Sequence, residues 1–241
     1  MTGSRPGSGE YHAGLTTLAL DASTYVGSVA VVRGSVVLGE RTVAMRGERE
    51  ERLMPAVAAV LAAAGLGVGD LGSVVCGAGP GSFTSLRIAA SIAKGIAQGA
   101  ALPLFAVSSL TLLVAGARPA LAVGRYLAAL DAMRGERYVA LLEVGEHGAI
   151  AVMSRAAIVP AGELDDLAAR ERATLVGPEW TMPGRDAPLA PRAAGLAALV
   201  DAAGVVRAVE LATWEPSYGR LAEAQVKWEA AHGRSLSTAG P

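Results

Sequence analysis

Two aspartates, Asp21 and Asp131, each end a short apolar run and precede a glycine-containing turn and a second apolar run. The runs read LALD and LAALD, and a separation of about 110 residues indicates duplicated domains and not a short-repeat solenoid. Aspartates at strand ends can hold a metal-bound phosphate, while backbone N–H groups of the next turn contact the phosphate oxygens. The pattern predicts a nucleotide cleft between two similar halves, with chance similarity between apolar strands as the alternative.

The turn residues suit such a cleft only in part. Residues 22–24 are small, whereas the side chains of Met133 and Arg134 would obstruct a close approach of the backbone to phosphate. Gly177 is placed beside an adenine in this interpretation, but Pro178 removes a backbone donor. We therefore predict a degenerate cleft that does not transfer phosphate. Its residues are Asp21, Ser23, Thr24, Asp131, Arg134 and Gly177.

Other patterns for catalysis or metal binding are weaker. Cys76 is the single cysteine and has no identifiable histidine partner. The sequence contains no G-x-S-x-G motif, and its three histidines lack metal-ligand spacing. The loop GAGPG at residues 77–81 lacks the G-x-G-x-x-G spacing of a dinucleotide loop, and Pro80 stands where a phosphate-facing N–H is wanted. We predict no catalytic residue and no metal site.

The composition indicates a globular chain of one or two domains. Of 241 residues, 52% are hydrophobic, 4% are aromatic and 18% are charged, and the net charge is −1. This excludes intrinsic disorder, and the neutral balance disfavours binding to nucleic acid or anionic lipid. A single cysteine excludes an intramolecular disulfide and fits a reducing compartment. Residues 1–14 are expected to form a disordered leader and not a signal peptide.

The pattern of apolar residues and turns favours an α/β fold. Strands are predicted over residues 15–21, 28–32, 35–38, 71–76, 104–107, 126–130 and 138–144. Helices are predicted over residues 48–64, from Ser82 to about residue 99, and after a cap at Ser108 or Ser109. The uncharged run 95–117 is interpreted as a helix end, a strand and a new helix because Gln98 and Pro103 interrupt it. We expect a cytoplasmic protein without a membrane span.

The first two predicted helices have an unusual distribution of side chains. Residues 53–64 include no polar side chain, whereas a surface helix normally keeps one polar face. The second helix has two rows of small residues at a spacing of four, one formed by Ala89, Ala93 and Ala97 and the other by Ser91, Gly95 and Gly99. Both helices are either buried completely within the chain or cover a partner, and the two alternatives remain open.

Six segments together resemble the TsaB (YeaZ) family. They are LALDAST (18–24), RLMP (52–55), GAGPGSFTSLRIA (77–89), ALPLFAVSSL (101–110), DAMRGERY (131–138) and EPSYGRLAE (215–223). The resemblance is dense over residues 15–113 and patchy beyond them, and its most specific part is GPGSFT-x-LR-I.

The resemblance implies a duplicated actin/Hsp70/sugar-kinase-like fold with two domains, residues 15–115 and 116–241. A segment at about 213–230 is expected to pack back toward the N-terminal domain. The implied function is that of a non-catalytic scaffold in forming threonylcarbamoyladenosine beside the anticodon of tRNAs that read codons beginning with A. The implied partners are the catalytic paralogue TsaD and the ATPase TsaE, with tRNA reached indirectly through the complex.

The family's pairing surface is a four-helix bundle made by the first two helices of each subunit, which a homodimer of the free chain can also use. The resemblance implies no cofactor for the chain alone, with ATP and Mg²⁺ expected only in the assembled complex. Carried over to this sequence, the interface comprises Leu53, Met54, Val57, Leu61, Thr84, Leu86, Arg87, Ala90 and Lys94.

Four positions depart from the family pattern. Ser85 replaces the usual glycine after GPGSFT, and Arg49 replaces a histidine found early in the first helix of many members. Met133 interrupts the usual Asp-Ala-Arg turn, and Gly219 replaces leucine in the P-x-Tyr-Leu-Arg pattern. The first two changes bear on the geometry of pairing.

Two alternatives come from other functional classes. One is an independent enzyme, either an ATP-dependent small-molecule kinase or a glycoprotease-like hydrolase. The other is a direct tRNA-binding module, which the arginines between residues 33 and 52 suggest and the interleaved glutamates oppose.

Overall fold

The chain forms a mixed α/β structure with two β-sheets, and the computed structural model describes residues 11–47, 50–182 and 187–219. The strands are β1 (Thr16–Asp21), β2 (Val26–Arg33), β3 (Val36–Ala44), β4 (Ser73–Gly77), β5 (Leu104–Val107), β6 (Gly124–Asp131), β7 (Glu136–Val144), β8 (Ile150–Val152), β9 (Ala157–Pro160), β10 (Ala173–Val176) and β11 (Arg207–Ala208). The helices are α1 (Leu53–Ala63), α2 (Phe83–Gly99), α3 (Ser109–Ala115) and α4 (Leu164–Glu171). Short 3₁₀ turns cover Val68–Asp70, Glu146–Gly148, Ala161–Glu163 and Ala193–Ala198.

The first sheet has the strand order β11-β5-β4-β1-β2-β3. Strands β1, β4 and β5 are parallel, and β2 and β3 form an antiparallel extension. All six residues of β1 are buried because this strand lies between β4 and β2 and is covered on both faces. A central strand covered on both faces reads as a continuous apolar run, so the prediction for residues 15–21 is confirmed.

The predicted hairpin between β2 and β3 is confirmed, but β3 extends farther than predicted. Arg33 pairs with Val36, and Gly34 adopts the left-handed conformation with φ +59°. The pairing then continues to Val26 opposite Ala44. Because β3 is an edge strand with mostly half-buried and exposed residues, its second half lacks the apolar pattern from which a strand is predicted.

The first helix begins later than predicted, at Leu53. The carboxylate of Glu51 accepts hydrogen bonds from the backbone N–H groups of Leu53 and Met54, which satisfies donors of the first helical turn. Residues 48 and 49 lie outside the described residues, so the Arg49 departure has no structural account. In α2, Ser82 occupies the N-cap position, but its hydroxyl contacts the Ser85 hydroxyl at 3.1 Å and not a helix amide.

The second sheet has the order β10-β6-β7-β8, with β9 also paired to β7. Its central hairpin, β6–β7, places Asp131 opposite Arg137, much as β1–β2 places Asp21 opposite Ser28. The later strands β8 to β11 and helix α4 were not predicted. Each spans two to eight residues, and such short segments give little periodicity.

The two sheets share one hydrophobic core. A single cluster of buried residues includes Val32 and Val75 from the first sheet, Leu130 and Leu142 from the second, and Leu196 from the turn at Ala193–Ala198. The predicted domain boundary at residues 115–116 lies at the end of α3, which belongs to this core. Helices α1 and α2 cover the opposite side of the first sheet, where they pack against a second cluster.

The chain returns to the first sheet after the second sheet is complete. Strand β11 pairs with β5, and the guanidinium of Arg192 donates two hydrogen bonds to Glu40 of β3, at 2.8 and 2.7 Å. The uncharged run 95–117 divides into the end of α2, β5 and α3, as predicted. Within the described ranges, no helix has the length and apolar character needed to cross a membrane.

Candidate functional site

Asp21 lies at the carboxyl end of β1, where the sequence predicts a phosphate site, but it is fully buried. Its Oδ1 accepts hydrogen bonds from the Ser23 backbone N–H at 3.0 Å and the Ser23 hydroxyl at 2.8 Å. Its Oδ2 accepts one from the Ser109 hydroxyl at 2.5 Å. Burial raises the pKa of Asp21 above its ordinary value, and the hydrogen bonds from Ser109 and Ser23 oppose that shift in part.

The loop 77–81 packs directly onto Asp21. A Cβ atom at Gly77 would lie 2.0 Å from the Asp21 carboxylate. The Gly79 N–H donates to the Ser109 hydroxyl at 3.1 Å, and the Ser109 N–H donates to the Gly79 carbonyl at 2.9 Å. Asp21 therefore holds this loop in place through Ser109, a residue that sequence reasoning considered only as a helix cap.

This arrangement does not fit a metal-bound nucleotide. Both carboxylate oxygens of Asp21 are occupied by protein donors, and the closely packed Gly77 leaves no space for a cation beside Oδ2. Over the residues that the structure describes, no group of three or more His, Cys, Asp or Glu side chains could hold a metal ion. The contacts of Asp21 within the described residues are thus structural.

The other predicted cleft residues have separate local roles. Thr24 accepts a hydrogen bond from the Val26 N–H, and Asp131 is exposed, accepting one from the Met133 N–H at 2.9 Å. Arg134 is exposed in the left-handed region with φ +57°, and Gly177 packs its backbone against the Trp180 ring. In the described part of the chain, no hydrogen bond joins Asp21, Ser23 or Thr24 to Asp131, Arg134 or Gly177.

Helix α1 buries one side within the chain, which corrects part of the predicted interface. Leu53, Val57 and Leu61 belong to the core beneath the first sheet. The side of α1 that faces away from the sheet includes Met54, which is 44% exposed, and the exposed Ala58. The apolar composition of this helix therefore reflects a buried side that the sheet covers and an uncharged side that it leaves open.

Helix α2 has the same division. Leu86 and Ala90, both predicted to contact a partner, are buried within the chain. The row Ala89, Ala93 and Ala97 is also buried, whereas the row Ser91, Gly95 and Gly99 is exposed. Of the predicted interface residues on α2, Thr84 and Arg87 are exposed and Lys94 is half-buried.

The two helices together present an outward surface, which we call the α1–α2 face. Both pack on the same side of the first sheet, so their exposed sides point away from it. The face consists of Met54, Ala58, Ala62, Thr84, Ile88, Ser91 and Gly95. None of these seven residues is charged, and the exposed Arg87 borders them. Sequence reasoning missed Ala58, Ala62 and Ile88, although Met54, Ala58 and Ala62 recur at the helical spacing of four.

A groove of about 500 Å³ lies along α2 and overlaps this face. It is lined by residues of α2 and by Glu51, and it includes three residues of the α1–α2 face; the lining residues are Glu51, Phe83, Thr84, Arg87, Ile88, Ser91 and Ile92. The Arg87 guanidinium carbon lies 5.2 Å from the centre of the Phe83 ring, and the Tyr218 ring lies 4.5 Å from it. Phe83 is 39% exposed, so an aromatic and cationic group borders the uncharged face.

The chain segment 212–219, which we call the C-terminal strap, contacts α2 at Lys94 in its second half and at Phe83 at its start. Lys94 donates from its ammonium group to the carbonyls of Trp214 at 3.0 Å and Ala212 at 3.4 Å. The Ser217 N–H donates to the Ala78 carbonyl at 2.7 Å. Lys94, which is predicted to contact a partner, thus holds the strap within this chain. Residues 220–230 of the predicted returning segment lie outside the described residues.

Comparisons with known proteins identify relatives. A family model described as "TsaD: tRNA N6-adenosine threonylcarbamoyltransferase" matches residues 44–202. The chain is 38% identical over 131 residues to the Escherichia coli K12 protein named "tRNA threonylcarbamoyladenosine biosynthesis protein TsaB", covering 54% of this chain and 56% of that relative. It is 30% identical over 235 residues to the Bacillus subtilis 168 protein of the same name, covering 89% and 98%. The chain thus spans about half the length of the first relative and nearly all of the second.

A solved structure gives a similar result. The chain superimposes with a TM-score of 0.71 and 31% identity on a Pseudomonas aeruginosa protein described as uncharacterized with similarity to peptidase YEAZ. The match covers 85% of this chain and 99% of that structure. The architecture of the two sheets and their helices is therefore shared with a protein described as similar to YEAZ.

Proposed function

Because this chain belongs to the TsaB (YeaZ) family, we propose that it is a non-catalytic subunit in the formation of N6-threonylcarbamoyladenosine in tRNA. It pairs with the catalytic paralogue TsaD and organises the complex, which the ATPase TsaE joins. The observation that carries the proposal is the α1–α2 face, an uncharged helical surface left open on the outer side of the first sheet. A contiguous exposed surface with apolar residues such as Met54 and Ile88, bordered by Phe83 and Arg87, is typical of a protein–protein interface.

The non-catalytic role is supported by the state of Asp21. A carboxylate that positions a metal-bound phosphate needs free oxygens facing the ligand. Here Ser23 and Ser109 occupy both oxygens, and the carboxylate is closed off from solvent. We therefore assign no cofactor to this chain alone and place ATP and Mg²⁺ in the assembled complex.

The duplicated fold is also part of the proposal. Each sheet contains a central hairpin whose first strand ends in aspartate, Asp21 in β1 and Asp131 in β6. This similarity supports an actin/Hsp70/sugar-kinase-like architecture in which two related halves diverged, the first retaining a buried aspartate and the second an exposed one. The family model described as TsaD matches residues 44–202, which include parts of both halves, and this supports a fold shared with TsaD.

Contact with tRNA is assigned to the complex and not to this chain. The net charge of −1 gives no general attraction for phosphate. Of the arginines near the first hairpin, Arg33 donates to the Thr16 hydroxyl at 2.7 Å, and Arg46 lies over the Tyr25 ring at 4.7 Å. These two side chains therefore have partners within the protein.

Reconstitution tests the function directly. Unmodified tRNA is incubated with TsaD and TsaE of the same organism, threonine, bicarbonate, ATP and the enzyme that forms the threonylcarbamoyl donor, with and without this chain. Modified adenosine is measured by mass spectrometry of the nucleosides. We expect modification only when this chain is present, and equal modification without it would reject the proposal.

The rival function as an independent kinase is tested on the chain alone. We expect no Mg²⁺-dependent ATP turnover above that of a heat-denatured sample, because Asp21 is enclosed. Turnover that disappears in Asp21→Asn would favour the kinase.

A further inference from the structure

The C-terminal strap connects the second sheet to the α1–α2 face. On one side, the Tyr138 hydroxyl of β7 donates a hydrogen bond to the Tyr218 carbonyl at 2.9 Å. On the other side, the centres of the Tyr218 and Phe83 rings lie 4.5 Å apart, and the Arg87 guanidinium carbon lies 5.2 Å from the centre of the Phe83 ring. A continuous set of contacts thus runs from a buried residue of the second sheet to the groove beside the face.

The C-terminal strap packs closely against Tyr138 of the second sheet and against the loop 77–81. Gly219 has φ +69°, and a Cβ atom there would lie 2.2 Å from the Tyr138 ring. At Gly79, a Cβ atom would lie 2.4 Å from the Ser217 carbonyl oxygen. The Ser217 N–H bonds to Ala78 of the same loop. The strap is therefore fixed between Tyr138 and the loop that precedes α2.

Each contact of the C-terminal strap provides a large share of the interactions that hold this segment in place. The strap lies outside the strands and helices, so no ladder of repeated hydrogen bonds supports it. In such a segment, removing one hydrogen bond increases local opening without unfolding the domain. Tyr138 itself is only 5% exposed, so it does not belong to any surface that a partner could contact.

We propose that Tyr138 is a positioning residue for pairing: through the C-terminal strap it holds Phe83 and Arg87 in the arrangement that a partner binds. The inference rests on the proposed function, since it assigns pairing to the α1–α2 face and its adjoining groove. The inference adds that the buried hydroxyl of Tyr138, in the second sheet, affects how tightly α1 and α2 bind TsaD.

Tyr138→Phe tests the proposal, with Tyr126→Phe as a matched control. Tyr126 is on the neighbouring strand β6, is 6% exposed, and donates its hydroxyl to the Ala122 carbonyl at the same distance of 2.9 Å. Binding of each purified variant to TsaD of the same organism is measured by isothermal titration calorimetry. We expect Tyr138→Phe to weaken binding about five-fold, the effect of one neutral hydrogen bond, and Tyr126→Phe to bind as the wild type does.

A second variant interrupts the same contacts at another point. Tyr218→Leu removes the ring that packs on Phe83 and retains the backbone carbonyl that accepts from Tyr138. We expect Tyr218→Leu to weaken binding, and Tyr138→Phe to add little further loss in the double variant. Fully additive effects of the two changes would contradict the proposed connection.

Hydrogen exchange in the chain alone gives a readout that does not depend on TsaD. In Tyr138→Phe, the amides of Ser217, Leu86 and Arg87 should exchange faster, while thermal stability matches that of Tyr126→Phe. If the wild type does not bind TsaD, the proposed function fails, whereas the exchange result still decides whether Tyr138 orders the start of α2. Unchanged exchange at Leu86 and Arg87, or equal binding by Tyr138→Phe and Tyr126→Phe, would overturn the inference.

Discussion

Asp21 and Asp131 show how residues in equivalent positions acquire different roles. Each ends the first strand of a central hairpin. Asp21 is enclosed by Ser23, Ser109 and Gly77, so its carboxylate serves as an acceptor that holds the loop 77–81. Asp131 is exposed and pairs with Arg137 at 3.3 Å. Neither aspartate forms an open phosphate site, because protein donors enclose Asp21 and Arg137 pairs with Asp131.

The buried carboxylate gives a pH-dependent prediction. The pKa of Asp21 is higher in the folded than in the unfolded protein, so the folded state binds the proton more tightly. The free energy of unfolding contributed by this group therefore falls as pH rises from the unfolded value of about 3.9 toward the folded one. Asp21→Asn removes this titration, so the stability of the variant relative to wild type should increase with pH across that window. Urea unfolding between about pH 4 and 7 measures it.

A control for this experiment is Asp21→Ala. It leaves the Ser23 N–H and the Ser109 hydroxyl without their buried acceptor, which should cost about 1–3 kcal/mol relative to Asp21→Asn at every pH, because neither variant titrates at this position. A stability difference between Asp21→Asn and wild type that stays constant over the acidic range would contradict the assignment.

At the scale of elements, α1 and α2 each combine a buried and an exposed side. The sheet covers Leu53, Val57 and Leu61, and leaves Met54 and Ala58 open. Because both sides of α1 are uncharged, hydropathy alone does not separate core from surface. The way α1 packs on the first sheet decides which of its residues are buried and which are exposed.

Two adjacent residues of α1 test the separation between core and interface. Leu61→Glu places a charge in the core, where Leu61 is 5% exposed, and should destabilise the chain by more than about 3 kcal/mol. Ala62→Glu lies on the exposed side and should leave stability within about 0.5 kcal/mol while abolishing co-elution with TsaD. Thermal unfolding and size-exclusion chromatography measure the two effects. Co-elution retained by Ala62→Glu would mean that pairing uses another surface.

A pair of glycines tests the backbone geometry of loop and helix. Gly79→Ala should lower stability by about 1–3 kcal/mol, because φ is +83° and the new methyl group would meet the Ser217 carbonyl. Gly95→Ala has open space around it within α2 and should raise stability by about 1 kcal/mol. Both are measured by urea unfolding, and equal effects at the two positions would contradict the structure of the loop and strap.

At the scale of the whole molecule, the two sheets are joined by one core. Buried residues from both sheets, α3 and the turn at Ala193–Ala198 form a continuous cluster. Strand β11 and the Arg192–Glu40 ion pair bring the later part of the chain back to the first sheet. A change in this core should therefore affect both sheets together.

Leu196→Ala tests this cooperativity. Leu196 is 1% exposed within the shared core, and its truncation should cost about 2–5 kcal/mol. Unfolding followed by hydrogen exchange should show loss of protection in β1 and β6 in one transition. Val123→Ala, at an exposed position, is the control and should change little. Separate transitions for the two sheets would indicate independently folding domains.

The sequence by itself determined the α/β class, the main strands of both central hairpins and the family. Long apolar runs such as residues 15–21 and the segment GPGSFT-x-LR-I produce signals that need no tertiary information. The edge strand β3 and the short strands β8 to β11 were underestimated or missed, because exposure and shortness remove the apolar pattern.

Only the tertiary structure decided which side of α1 and α2 faces outward, and that Asp21 is enclosed. Leu61 and Ala62 are both apolar, but adjacent residues of a helix point about 100° apart, so the side of α1 that faces the sheet decides which of them is buried. Ser109 and Gly77 lie 88 and 56 residues from Asp21, and only the packing of β1, β4 and α3 brings them together. Local patterns report propensity, whereas burial and long-range hydrogen bonds are set by how the elements pack.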